Sequence, residues 1–414
     1  MAFHLLHTSD WHLGHRFHGR QRYDEQGRFL DWLVDQVESR GVDVLLVAGD
    51  IFDTSTPGNR AQALYYRFLH RLAGSCCRHV VITSGNHDSP ALLEAPRELL
   101  RQLDIHVVGS VDAQPDKEVL LLRDDSGQPE LLVCAVPFLR DRDFRTALPG
   151  ETLEEKGRQL RQGIHAHYRQ VCQAAEQLRQ DNGVHLPLVA MGHLFVAGGR
   201  TIEGDGVREL TIGGLDRIEG TCFPETIDYL ALGHLHLGQL VAGNPTRRYC
   251  GAPLPMSFAE AGHRKEILLL SYEQRRFVVE PLPVPVLQPL ASLSGDLSQL
   301  LEQLNALKEV SSSAWVELQY TGETVIPNLR EQVLAAVEGS NLNLLRIRNN
   351  RLYDYALQQV QEAETLDELS VTDVFERCLE THRIEEGQRR MLRAAFEEII
   401  TALAHGDNEG AAGA

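Results

Sequence analysis

Five short apolar runs in this 414-residue sequence end in the same way, on small residues followed by side chains that bind metals or carry protons. The first run closes on Ser9-Asp10-Trp11-His12 and the second on Ala48-Gly49-Asp50-Ile51-Phe52-Asp53. The third closes on Ser84-Gly85-Asn86-His87-Asp88, the fourth on Met191-Gly192-His193 and the fifth on Gly233-His234-Leu235-His236. Apolar runs of this length, bounded by turn residues, read as strands covered on both faces. Seven are expected: Phe3–His7, Val42–Ala48, His79–Thr83, Leu131–Ala135, Leu186–Met191, Tyr229–Leu232 and Ile267–Ser271. Between the first two, Gln21–Arg40 sets Phe29, Leu30, Leu33, Val34 and Val37 at helical spacing, and Ala61–Leu72 repeats the pattern. Strand–helix–strand order predicts an α/β architecture. Ligands gather at the carboxyl ends of the strands in such folds. If all five strands share that edge, Asp10, His12, Asp50, Asn86, His193, His234 and His236 converge.

Carboxylates, imidazoles and an amide oxygen make a site for hard-to-borderline divalent metals, and seven donors are too many for one ion. In extended chain, residues i and i+2 project to the same side roughly 7 Å apart, so Asp10-x-His12 and His234-x-His236 can each present two donors to one cleft. Two ions about 3.5–4 Å apart suit in-line displacement at phosphorus, with a bridging carboxylate such as Asp50 holding both. The glycines before Asp50, Asn86, His193 and His234 permit tight strand-to-loop turns.

Each cluster alone has a plainer reading. A single D-x-H or H-x-H is more often a capped turn or a satisfied histidine, and Asn, His and Asp all form turns. The five together, each after a strand, outweigh those readings. His4 and His7, inside the first strand, are expected to be structural. His165 and His167 lie two apart on a helical pattern and face different sides. His15 and His18 sit in a basic loop with Arg16, Arg20 and Arg22, which is either a solvated loop or a phosphate contact near the cleft.

The length suggests two or three domains. With 43% hydrophobic and 24% charged residues the composition is that of an ordinary globular protein. No apolar run approaches the ~20 residues of a membrane helix, and MAFHLLHTSDWHLGH does not read as a signal peptide, so a cytoplasmic protein is expected. The 7 cysteines show no C-x-x-C spacing and are expected to be reduced. The net charge of −18 counts against nucleic-acid binding. Bound divalent cations would offset carboxylates locally, and charge placement matters more than the total. Arg140, Arg142 and Arg145, with Arg346, Arg348 and Arg351, form either local basic surfaces or mixed solvated faces.

Residues 1–276 are expected to form the first domain. Phe277–Pro289, with four prolines, reads as an extended linker. Residues 290–364 read as a small α+β domain, with helices at Leu297–Leu307 and Leu329–Val337 and strands at Ala314–Tyr320 and Asn343–Ile347. Residues 365–404 read as helical: capping boxes at Thr365-Leu-Asp-Glu368 and Ser370-Val-Thr-Asp373 introduce Val371, Val374, Phe375, Cys378 and Leu379. Leu392, Phe396, Ile399, Ile400 and Leu403 follow on one stripe. Residues 405–414 are expected to be disordered.

The series D-x-H, GD, GNHD, H and GHxH resembles the calcineurin-like metallophosphoesterase family. Thr8-Ser-Asp-Trp-His-Leu-Gly14, Ala48-Gly-Asp-Ile-Phe-Asp-Thr54, Tyr249-Cys-Gly-Ala-Pro-Leu-Pro-Met-Ser-Phe258 and Leu369-Ser-Val-Thr-Asp-Val-Phe375 extend the likeness to the bacterial SbcD nuclease subunits, relatives of the archaeal and eukaryotic double-strand-break repair nucleases. The resemblance implies a β-sandwich core flanked by helices. It implies one manganese held by Asp10, His12, Asp50 and His236, and another by Asp50, Asn86, His193 and His234, with magnesium as the other candidate ion. His87 would stabilise the transition state or protonate the leaving oxygen, and Asp88 could orient its ring. Further implications are a homodimer and a coiled-coil ATPase partner, SbcC, bound by the C-terminal helical segment through Val371, Val374, Phe375, Leu379, Leu392, Phe396 and Ile399. The 290–364 unit would be a DNA-facing cap. ATP would be the partner's cofactor, since no G-x-x-x-x-G-K-[ST] loop occurs. Arg16, His18 and Arg20 are the candidate DNA contacts. Archaeal relatives carry a histidine shortly after the second GD, where this chain has Asp53.

The implied activity is two-metal hydrolysis of DNA phosphodiesters in recombination and repair: 3'-5' exonuclease on duplex ends, endonuclease on single strands and hairpins. An alternative enzyme is a small-molecule phosphodiesterase or phosphatase on the same metal core, which would have no need of a cap and terminal helices. A DNA-end tether with a vestigial site is a third reading, opposed by the full donor set.

Overall fold

Alternate side chains of Val44–Ala48 are buried in different places. Val44, Leu46 and Ala48 pack with Leu5, Leu131, Val133, Val189, Met191 and Ala231. Leu45 and Val47 pack the other way, among Phe29, Leu33, Tyr65, Phe68 and Leu72. A strand covered on both faces has no room for a polar position, which is why it reads as one unbroken apolar run. In the computed structural model, the described residues are 3–144, 152–182, 186–196, 199–200, 218–322, 324, 326 and 328–349, together with Phe375, Leu392, Arg393 and Phe396.

The strands form two six-stranded sheets rather than one. The first runs Arg276–Pro283, Glu266–Glu273, Phe3–Thr8, Val44–Ala48, His79–Thr83, Ile105–Val108. Its last four strands are parallel, and the first two are antiparallel additions. The second sheet runs Gln239–Val241, Asn244–Tyr249, Tyr229–Gly233, Leu188–His193, Pro129–Ala135, Val119–Arg123. Its inner four strands are parallel as well. The sheets pack face to face through the cluster around Leu46 and Met191, and helices cover the outer faces. Tyr23–Arg40 and Asn59–Ala73 lie on the first sheet. Leu153–Asp181 lies on the second through Ile164, Tyr168, Val171 and Ala175. That long helix starts on a capping box, in which Thr152 Oγ1 accepts from Glu155 N at 3.2 Å and the Glu155 carboxylate accepts from Thr152 N at 2.9 Å. This is α/β layering closed into a helix-flanked sandwich. The single shared edge expected from strand order is instead a rim shared by two sheets.

Arg276–Pro283, most of the segment expected to be a linker, pairs with Glu266–Glu273 along its whole length. It is an edge strand, where a proline without an N–H leaves no ladder bond unmade. The strands Leu290–Gly295, Trp315–Tyr320 and Asn343–Asn349 form a separate three-stranded sheet, with helices at Leu297–Glu309 and Leu329–Val337. Among the described residues, no helix is long and apolar enough to cross a membrane.

Candidate metal centre

The turns after Phe3–Thr8, Val44–Ala48 and Tyr229–Gly233 take a backbone conformation that side chains seldom adopt. Asp10, His12, Asp50 and His234 have φ values of 54°, 45°, 51° and 95°. Each such residue costs of order 1–3 kcal/mol, and its neighbours must hold it there. The holding bonds are visible: Asp10 N donates to Gly49 O at 3.0 Å, His12 N to Asp50 O at 3.0 Å, and His234 N to Asp10 Oδ1 at 3.0 Å. A Cβ at Gly85 would strike the Asp50 carboxylate, and one at Gly233 would strike the Ala48 carbonyl, so glycine there allows loop and sheet to close on the site.

These turns bring the predicted donors from both sheets together. Asp10, His12, Asp50, His193, His234 and His236 are all buried, and Asn86 is half-buried. One ligand atom each from Asp10, His12 and His236 lie within 4.8 Å of one another, and so do those from Asp10, Asp50 and His193. His12 Nε2 faces His236 Nε2 at 3.2 Å and Asp50 Oδ2 at 3.6 Å. His193 Nε2 lies 3.2 Å from Asp50 Oδ2 and 3.1 Å from Asn86 Oδ1. His234 Nδ1 lies 3.0 Å from the same Asn86 oxygen. Leu235, between the paired histidines, is fully buried in the core under the second sheet.

Protons without an ion sit uneasily in this cluster. Burial and the negative charge of Asp50 push the Asp10 carboxyl up, against the pull of His193. Burial also works to raise Asp50, but the charge and hydrogen bond of His193 hold it well below its ordinary value. His193 is driven the other way, up to about 9, because Asp50 outweighs the burial that would lower it. His234 is pushed down to about 3 by burial and then by His193. Two buried carboxylates thus depend on imidazolium protons for compensation, and a divalent cation supplies the same charge to the same atoms. The donor set fits hard-to-borderline divalent ions.

The surrounding residues orient the donors. His193 Nδ1 donates to Ala48 O at 2.9 Å, leaving Nε2 for the site. Asp53 Oδ1 lies 3.4 Å from His12 Nδ1 and 3.0 Å from His15 Nδ1. That carboxylate is half-buried and, despite burial, is held below its ordinary range by His12 and His15, and its charge faces the Nδ1 side of His12. Nothing in its local spacing marks Asp53 for this role, since its two histidine partners lie about forty residues upstream.

His87 stands at the edge of the cluster, its ring centroid 4.9 Å from that of His12. The orientation expected from Asp88 falls elsewhere. His87 Nδ1 donates to Asp53 O at 2.7 Å, whereas the buried Asp88 carboxylate accepts from Gly85 N, Phe52 N and Ile51 N at 2.8, 2.9 and 3.1 Å. Asp88 ties two of the site's loops together and does not touch the ring. Successive side chains in the turn point apart, which is the physical reason adjacency misled.

His4 and His7 are structural as expected, bonded to Ser271 Oγ at 3.1 Å and Tyr229 OH at 2.9 Å. His167 is buried against Glu118 at 2.8 Å and His165 is near Arg169, on a different side of the helix. Arg16–Phe17 and Arg20–Gln21 form a two-residue hairpin, in which Arg16 is exposed and Arg20 Nη2 donates to Asn343 Oδ1 at 3.0 Å. His18 is largely exposed on that hairpin. Arg140 Nη2 donates to Asp88 O at 3.3 Å, and Arg346 pairs with Glu317 at 3.3 Å. Phe375 and Phe396 stack with ring centroids 3.9 Å apart, and Leu392 is exposed. Arg145, Arg351, Val371, Val374, Leu379 and Ile399 lie outside the described residues.

A helix-flanked sandwich whose rim gathers two carboxylates, four imidazoles and an amide defines a metal-dependent phosphoesterase. The model of the calcineurin-like phosphoesterase family matches residues 3–238, and that of the type 5 capsule protein repressor C-terminal domain matches residues 286–383. The chain is 38% identical over 408 residues to SbcD of the SbcCD nuclease of Escherichia coli (strain K12), covering 98% of this chain and 99% of that one. It is 38% identical over 316 residues to the SbcD chain of Rhodobacter capsulatus, covering 73% of this chain and 75% of that one. The SbcD chain of Bacillus subtilis is 32% identical over 325 residues, covering 76% of this chain and 78% of its own. The chain belongs to the calcineurin-like phosphoesterases and, among them, to the SbcD nuclease subunits.

Proposed function

We propose that this chain is the metal-dependent nuclease subunit of an SbcCD complex, acting as a 3'-5' exonuclease on duplex DNA ends and an endonuclease on single-stranded or hairpin DNA. The supporting observation is the meeting of Asp10, His12, Asp50, Asn86, His193, His234 and His236 at one rim, in a chain aligned over 98% of its length with a nuclease subunit. Asp10, His12, Asp50 and His236 would hold one ion, and Asp50, Asn86, His193 and His234 the other. Manganese is the preferred ion, with magnesium as the substitute. When bound, such a pair stabilises charge on the phosphoryl oxygens and lets water attack at neutral pH.

The chain's own groups do the rest. His87, with Nδ1 donating to the Asp53 carbonyl, presents Nε2 towards the cleft and there holds the proton the leaving oxygen needs. Asp53 sets its charge against the Nδ1 side of His12, and Asp88 holds the loops carrying Asp50 and Asn86 in register. Arg16, His18 and Arg20 would meet the DNA backbone. The partner is the SbcC ATPase, bound by residues 365–404, and ATP enters only through it. The chain works as a homodimer, in the cytoplasm at the nucleoid. The match across residues 286–383 favours this over a small-molecule phosphodiesterase, which has no use for that segment.

The test is cleavage of hairpin DNA with manganese, magnesium or chelator, with and without SbcC, beside hydrolysis of bis(p-nitrophenyl) phosphate. The expected outcome is manganese-dependent hairpin cleavage that chelator abolishes and SbcC with ATP accelerates. Rapid hydrolysis of the small diester with DNA left intact would overturn the reading.

A further inference from the structure

At the opposite end of the first sheet from the metal centre, two neighbouring strands begin with histidines. His79 opens His79–Thr83, and His106 is the second residue of Ile105–Val108, with Val81 and His106 paired in the parallel ladder. The ring centroids lie 5.8 Å apart. Asp104, immediately before the second strand, is exposed and turned through a positive φ of 54°. One ligand atom from each of His79, Asp104 and His106 lies within 4.8 Å of the others.

The ring nitrogens carry the case. His79 Nε2 donates to the Arg123 carbonyl at 2.8 Å, which leaves Nδ1 with its lone pair. That Nδ1 is buried and has no hydrogen-bond partner among the described residues, and the same is true of His106 Nε2. A buried polar atom without a partner costs about 1–3 kcal/mol, and here two of them occur on rings in contact. A histidine that donates one nitrogen to a backbone carbonyl and offers the other is the usual arrangement of a metal ligand, because the carbonyl fixes the tautomer.

We propose that His79, Asp104 and His106 form a second divalent-cation site, separate from the catalytic pair and selective for zinc-like borderline ions. Two imidazoles with a single carboxylate favour zinc, cobalt or nickel over manganese and magnesium, which prefer oxygen. Water fills the remaining position, since Asp104 is exposed. The ion staples the starts of two parallel strands that otherwise rest on a few backbone bonds, among them Val80 N to Asp104 O at 3.0 Å.

The experiment uses the full chain carrying Asp10→Asn, His12→Gln, Asp50→Asn and His193→Gln, which leaves the catalytic centre no pair of histidines with a carboxylate, stripped by chelator and dialysed against zinc. One zinc per chain is expected, with a rise in melting temperature. Adding His106→Gln or, at an exposed position that leaves the core intact, Asp104→Asn should weaken zinc binding on the order of tenfold or more and remove the thermal shift. Manganese at the same concentration should give neither effect. Zinc binding left unchanged by both substitutions, or absent before they are made, would overturn the site.

Discussion

The two sheets contribute different chemistry to one centre. The first supplies both carboxylates, Asp10 and Asp50, with His12, on turns of left-handed backbone after Phe3–Thr8 and Val44–Ala48, and Asn86 on the turn after His79–Thr83. The second supplies imidazoles: His193 still in its strand, His234 and His236 just past the end of another. Alone, the first would hold two like charges close together, and the second would hold a cluster of imidazoles in which burial, and after it His193, pushes His234 down. Packed together, each half supplies the charge the other lacks. The cohesion of the sandwich and the assembly of the site are therefore one event.

Breaking the first sheet's contribution should have the largest effect. Asp50→Ala removes the carboxylate that meets both His12 and His193, and phosphodiester hydrolysis should fall on the order of 10⁴-fold. Elemental analysis should show metal content falling with it, and full occupancy in that variant would contradict the shared role. A smaller loss, about 10²–10⁴-fold in kcat, is expected from His87→Gln with metal content unchanged, because that ring stands beside the donors rather than among them. Metal loss in this variant would move His87 into the donor set.

The mildest test concerns cohesion away from the metals, where His7 of the first sheet meets Tyr229 of the second at 2.9 Å. Burial pushes His7 from 6.5 down to about 3, so the folded chain keeps it neutral. A histidine depressed in this way contributes stability above its unfolded pKa that is lost as pH falls through the window from 6.5 towards 3. Denaturant titrations should lose about 1.4 kcal/mol per pH unit across that window from this site, and His7→Gln should flatten the slope. An identical slope in the variant would mean that other groups dominate acid unfolding.

Much of this was legible in residue order. Val44–Ala48 and Tyr229–Gly233 are buried on both faces and so announce themselves as apolar runs, and the polar residues after them are the donors. Strand pairing was less legible, because order along the chain does not say which of two sheets a strand joins. Asn244–Tyr249 (NPTRRY) lacks an apolar run, and Arg276–Pro283 hides behind prolines that only an edge position tolerates. Asp53 and Asp88 show the limit within the site. Their partners are set by turn geometry, and no local spacing separates the one that faces His12 from the one that ties the loops.

The pairing of Phe3–Thr8 between Val44–Ala48 and Glu266–Glu273 has a consequence for biosynthesis. A chain emerging from the ribosome has its first strand early, but one flank of that strand stays open until residue 273 is out. By then every proposed donor up to His236 has been made. All seven proposed donors are therefore on a nascent chain before its first sheet is complete, and a chain halted between His236 and Glu266 carries the whole donor set without the strand that flanks Phe3–Thr8.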